Sequence, residues 1–296
     1  MTDEHTHRIE SREAWGDSIV RGSVSQMLED CRRAISEGRE YEGTINGSFI
    51  GRDDLNSIED AIEKAYIGVP SDVAKVSEWR QSLNTLLDGL IPDLRQKMVY
   101  SENRGRQISV RRLLDGEAKF RRGRRRVPVA NRSVSIVIDV GMLGGYSTDA
   151  GFMRTAAAVA ICDLLEQQDI RVEIWGMSRA MGSYDDNGRI GCGRNYEGLW
   201  KVKASDAPLN LSTVVAATSA WFFRTIVFQH RHSHRKANYG MGSTVRGTDE
   251  VARRLTGNDK AVCFSVEMNN DLERMKESCK TETTRIVEIL LKKGGE

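Results

Sequence analysis

The run SVSIVIDV, Ser133 to Val140, constrains this chain more than any other segment. Its β-branched residues offer no polar face until Asp139, the pattern of a strand covered on both sides. Glycines follow at Gly141, Gly144 and Gly145, and then a helical pattern runs to Gln168, with Thr148 or Asp149 as its expected cap. RVEIWGM (Arg171 to Met177) repeats the strand signal. Glycine-rich GRIGCGRNYEG leads to LWKVKA (Leu199 to Ala204), expected as a third strand at an edge. An apolar helix starts at Leu209, AVCFSVE (Ala261 to Glu267) reads as a fourth strand, and Asn269 to Leu291 as a closing helix. Strands alternating with helices predict an α/β domain over 133–296, a mostly parallel sheet with helices on both faces.

The preceding region differs. From Ser11 to Gly38, Trp15, Ile19, Val20, Val24, Met27, Leu28, Cys31 and Ile35 recur at steps of three and four, predicting one helix. Gly43, Gly47 and Gly51 mark a loop, and Asp53 to Ile67 and Ser71 to Ile91 predict two more helices, with a short one at Ser109 to Gly116. The expected organisation is a helical N-terminal region (1–103), a basic connector (104–132) and the α/β domain.

The connector holds the sharpest charge asymmetry. The chain carries 44 Lys and Arg against 42 Asp and Glu, a net of +2, yet 104–132 alone nets +9 and leaves −7 for the rest. Arg104, Arg106, Arg111, Arg112 and Arg132 flank a dense core of Lys119, Arg121, Arg122, Arg124, Arg125 and Arg126. Guanidinium groups grip phosphate bidentately, so this band is a candidate surface for DNA or RNA backbone. Phe120 is the one aromatic near the dense run, which argues against base stacking. Two other readings stand beside it: pairing with the chain's own acidic residues (Asp53, Asp54, Glu59, Asp60, Glu63), or a solvated linker.

Several stretches carry a family resemblance. A first strand ending in Asp139, a loop, a helix and then VEIWG resembles the von Willebrand factor A-like fold, a Rossmann-like arrangement. More narrowly, ISVRRLLDGEAKF, SVSIVIDVG, TAAAVAICDLLEQQDIRVEIWGM, LWKVKASDAPLNLSTVVAATSAWFFRTIVFQH and YGMGS, within Ile108 to Ser243, resemble an uncharacterised family of tailed phages and prophages. The resemblance implies phage origin and a degenerate form of the domain. Metal-binding members place D-x-S-x-S after the first strand; here Gly141 and Leu143 stand where the hydroxyls belong. Asp139 is then expected to cap a helix or bond loop amides, with no metal and no cofactor.

Ligands of such sheets gather at the carboxyl ends of the strands, so Asp139, Tyr146, Ser147 and Met177 form the candidate partner-binding rim. The spacing G-x-x-G-G fits neither nucleotide fingerprint, and no nucleophile elbow, H-E-x-x-H pair or paired carboxylates are present. Cys192 and Ser183 lack a visible base. His230, His232 and His234 alternate with basic residues and predict a solvent-exposed loop rather than a metal site. The sequence therefore predicts a non-enzymatic interaction module with an unknown protein partner, nucleic-acid binding being the alternative. Five scattered cysteines and the absence of an apolar leader in MTDEHTHRIESRE predict a cytoplasmic protein. Leu209 to Phe228, interrupted by Asn210, Ser212, Thr213, Ser219 and Arg224, is expected in a protein core, with no membrane partner.

Overall fold

A computed structural model describes residues 10–12, 17–41, 50–87, 96–101, 107–126, 133–142, 145–167, 170–184, 190–235 and 243–292. The SVSIVID segment forms β6 (Ser133–Asp139), at the heart of the main sheet. It pairs in parallel with β7 (Arg171–Tyr184) and with β10 (Val262–Phe264). Antiparallel to β7 runs β8 (Ile190–Lys203), and β8 pairs in parallel with β2 (Asp17–Ser23), itself followed outward by β1 (Glu10–Arg12). Within β2-β8-β7-β6-β10, three of the four pairings are parallel. The short β9 (Ser243–Thr244) lies off this path, against β7.

β6 is buried on both faces, as its composition requires. Ile136 and Ile138 enter the larger core, with α5 (Thr148–Glu166) and its run of buried alanines. Val137 enters a smaller core on the opposite face, with Ala252 and Leu255 of α9 (Asp249–Thr256). The result is a Rossmann-like α/β sheet flanked by helices. Against α5 pack α3 (Pro70–Leu87) and α10 (Leu272–Lys292), and α2 (Ile58–Ile67) joins the same core through Ile58, Ala61, Ile62 and Ala65.

Three expectations need correction. The stripe from Ser11 to Gly38 is not one helix: residues 17–23 are strand, and α1 (Val24–Ser36) starts only at a capping box, where Ser23 Oγ accepts from Gln26 N and Gln26 Oε1 from Ser23 N. LWKVKA is not an edge strand. It lies inside β8, which already begins at Ile190 in the glycine-rich stretch and is flanked by β2 and β7. Gly176 sits opposite Trp200, where an added Cβ would meet the indole at 2.3 Å, so only glycine lets that side chain cross the strand. The histidines are not in an exposed loop. The apolar segment forms α6 (Leu211–Thr218), then α7 (Ala220–Phe222), a π-helical turn (Phe223–Val227) and α8 (Phe228–Arg235), which carries them. His230 is buried there, its Nδ1 2.8 Å from the Tyr196 hydroxyl.

Among the described residues no single helix is long and apolar enough to cross a membrane; α6 and the helix after it pass only as a pair bent by 51°. The chain also forms a second sheet: β3 (Gln96–Ser101) and β4 (Gln107–Ile108) flank β5 (Arg121–Arg126), with α4 (Val110–Leu114) between β4 and β5 in sequence.

Candidate functional site: the carboxyl rim and the basic sheet

Asp139 ends β6, and its carboxylate is turned inward. Oδ1 accepts from Gly141 N at 3.0 Å; Oδ2 accepts from Gly247 N at 2.7 Å and from Ser265 Oγ at 3.0 Å. Of the two roles expected for it, helix cap or acceptor for loop amides, these bonds are the second, and Ser147 fills the first. Gly247 follows β9 and Ser265 follows β10, so one carboxylate ties three segments at the sheet's carboxyl end. Arg246 adds to the knot, donating to the Ser265 carbonyl at 2.7 Å and to its hydroxyl at 3.2 Å.

A buried cation lies behind the knot. Arg154 of α5 donates to the Gly141 carbonyl at 3.3 Å and the Thr218 carbonyl at 3.1 Å. Burial brings its pKa down to about 10, against the opposing pull of Asp139. The sequence carries a signal for it: an arginine just before the apolar run AAAVAIC of the same helix. No group of three His, Cys, Asp or Glu placed to hold a metal occurs among the described residues.

The remaining rim residues are held just as firmly. Met177 is 0% exposed, and its carbonyl accepts from Val140 N at 2.9 Å, continuing the β6–β7 ladder. Ser147, not Thr148 or Asp149, caps α5, accepting from Ala150 N at 3.2 Å. Its own amide donates to Asn270 Oδ1 at 2.8 Å, and Asn270 Nδ2 donates to the Gly145 carbonyl at 2.9 Å. Tyr146 is half-buried, and its carbonyl accepts from Arg224 of the π turn at 2.8 Å. Asn270 falls in the stretch Glu267 to Asn270 that the strand pattern places on the rim, whereas Arg224, Gly247 and Ser265 were missed as rim partners, because residues brought together from distant segments carry no periodicity. Leu143 and Gly144 lie outside the described residues, as do the side chains of Ser183, Cys192 and His234.

The basic band has a definite backbone. Arginine fills five of the six positions of β5, and β5 is the middle strand of its sheet. Gln96, Lys97 and Tyr100 of β3 face Arg126, Arg125 and Arg122 in register; on the other side Gln107 and Ile108 face Arg122 and Arg121. Lys97 opposite Arg125 is a like-charge pair, which weakens a ladder. Ser109 N donates to the Phe120 carbonyl at 2.9 Å, closing the loop that carries α4. Lys119 and Arg121 are exposed. Arg112 is 3.3 Å from Glu117 and Arg111 is 4.0 Å from Asp115, both within the band. The side chains of Arg122, Arg124, Arg125 and Arg126, and the whole of Arg104, Arg106 and Arg132, lie outside the described residues. Of the acidic residues proposed as internal partners, Asp54 is engaged by Arg52 at 2.8 Å and Lys64 at 3.1 Å, and Asp60 accepts from Asn56 N at 3.0 Å.

Comparison with known families gives a match over residues 18–293 to a family model described as a domain of unknown function, DUF7192. No curated protein and no solved structure matches.

Proposed function

The chain belongs to the DUF7192 family, and we propose that it is a non-enzymatic binding module that holds nucleic acid by its phosphate backbone through the basic sheet. One observation carries this reading: a strand with five arginines in six positions forms the centre of a sheet, with Lys97 set opposite Arg125. By the period of two, Arg122, Arg124 and Arg126 fall on one face of the strand and Arg121 and Arg125 on the other, so each face gathers like charge, as does the cross-strand pair of like sign. A polyanion laid along the strand turns that repulsion into attraction and releases its own counterions. Protein binding at the carboxyl rim has weaker support, because Met177 is sealed and Asp139 bonds inward.

The test is affinity for a mixed-sequence duplex and a single strand, compared with a variant carrying Ser at Arg121, Arg122, Arg124, Arg125 and Arg126. The reading expects binding by the parent chain, little dependence on sequence, and loss in the variant with the far-ultraviolet spectrum unchanged. Equal binding by the variant, or none by the parent at low salt, refutes it.

A further inference from the structure

The large apolar side chains exposed among the described residues fall in two places that differ in charge. One is the loop of the basic sheet, where Ile108 precedes α4 and Val110, Leu113 and Leu114 lie along it at i, i+3 and i+4. Leu114 is 80% exposed and Arg111 stands beside it almost wholly in solvent. The other is the end of α2, where Ile67 is 72% exposed and Tyr66 is partly so. Glu59 and Glu63 are exposed on the same helix, two turns and one turn before Ile67 at steps of four. Those three residues make one stripe, two carboxylates leading to an isoleucine.

The segment 107–121 around the apolar cluster carries Arg111, Arg112, Lys119 and Arg121 against Asp115 and Glu117, a net positive charge, so it complements an apolar tip preceded by carboxylates in both respects. Neither covers the other within one chain, since both are exposed. We propose that copies of this chain associate head to tail, the α4 loop of one docking on the Glu59–Glu63–Ile67 stripe of the next. The apolar contacts supply the attraction, while Arg111 facing the carboxylates sets the orientation. Such a contact is heterologous, so it leaves an unused surface at each end of a pair and continues to a ring or an open filament. The phosphate-binding strand is not used by it, so the inference stands whether or not nucleic acid binds.

Two variants test it, both at exposed positions where folding is not at stake. Leu114→Asp spoils the loop, and the double variant Glu59→Arg/Glu63→Arg spoils the stripe. Sedimentation velocity on nuclease-treated protein over rising concentration should show the parent chain associating, with each variant weakened about tenfold or more. An equimolar mixture of the two variants retains one intact contact, the sound stripe of the first against the sound loop of the second. It should therefore form a dimer and stop there. A parent chain that stays monomeric, a variant that associates like the parent, or a mixture that stays monomeric overturns the proposal. Retention on immobilised DNA, measured on the same samples, reports on nucleic-acid binding separately.

Discussion

Asp139 at the end of β6 and Ser265 just past β10 are joined by a 3.0 Å hydrogen bond, the serine hydroxyl donating to Oδ2. The same oxygen accepts from Gly247 N, so the acid at the end of the central buried strand closes the sheet's carboxyl end by its own bonds. That inward role leaves the rim, the natural ligand-binding edge of such a sheet, with few free polar groups at Asp139.

Asp139→Ala removes the acceptor for a buried amide and a buried hydroxyl and takes away the negative charge nearest Arg154. Urea unfolding should show a loss of about 3 kcal/mol. Adding Mg²⁺ to the parent chain should leave its Tm unchanged, since the Asp139 oxygens are taken by Gly141 N, Gly247 N and Ser265 Oγ and the Gly141 carbonyl by Arg154. A rise in Tm with Mg²⁺ would contradict this.

Gly247 approaches its neighbours too closely for any side chain. An added Cβ would lie 2.3 Å from Met177 Cε and 2.7 Å from Cys263 Sγ, both in the sealed smaller core. Gly247→Ala should cost about 1–3 kcal/mol in the same measurement. Gly145→Ala, in the loop clamped by Asn270 and with nothing within 4 Å of its Cβ, should change stability by less than about 0.5 kcal/mol.

The strands that carry the core were readable because two-faced burial needs an unbroken β-branched run, and β6 has one. Strand β2 was not readable. Its apolar residues run in helical step with those of α1, and what makes it a strand is the ladder to β8, a partner more than 170 residues away in sequence. The edge reading of β8 failed for the same reason: the strand that covers it comes from the other end of the chain. Asp139 was legible by its place at the end of β6, whereas its partners Gly247 and Ser265 lie 108 and 126 residues on, in loops without pattern. The arginine band was visible as charge; that it forms the middle of a sheet depends on pairing with β3 and β4.

Acid should loosen the α9–α10 side of the molecule. Burial pushes the Asp249 carboxyl upward, but hydrogen bonds from Arg285 and the Cys263 amide outweigh it and hold the group below its ordinary value. A carboxyl depressed in the folded state stabilises fully above its unfolded pKa, about 3.9 for Asp. That stability fades as pH falls through the lower native value. Asp249→Asn should thus lower the urea midpoint at neutral pH, with the gap to the parent chain closing in strong acid. A gap that stays constant with pH would contradict the assignment.

The central claim is that the basic sheet grips phosphate, and salt dependence tests it most directly. Affinity for a labelled duplex should fall linearly on a logarithmic plot against salt concentration, with a slope of about −0.9 for each phosphate neutralised. Along β5 the period of two places Arg122, Arg124 and Arg126 on one face and Arg121 and Arg125 on the other, so a backbone laid on the three-arginine face predicts a slope of about −2 to −3, and Arg124→Ser should make it shallower by about one unit. An affinity unmoved by salt, or a slope that Arg124→Ser leaves as it was, would contradict the account.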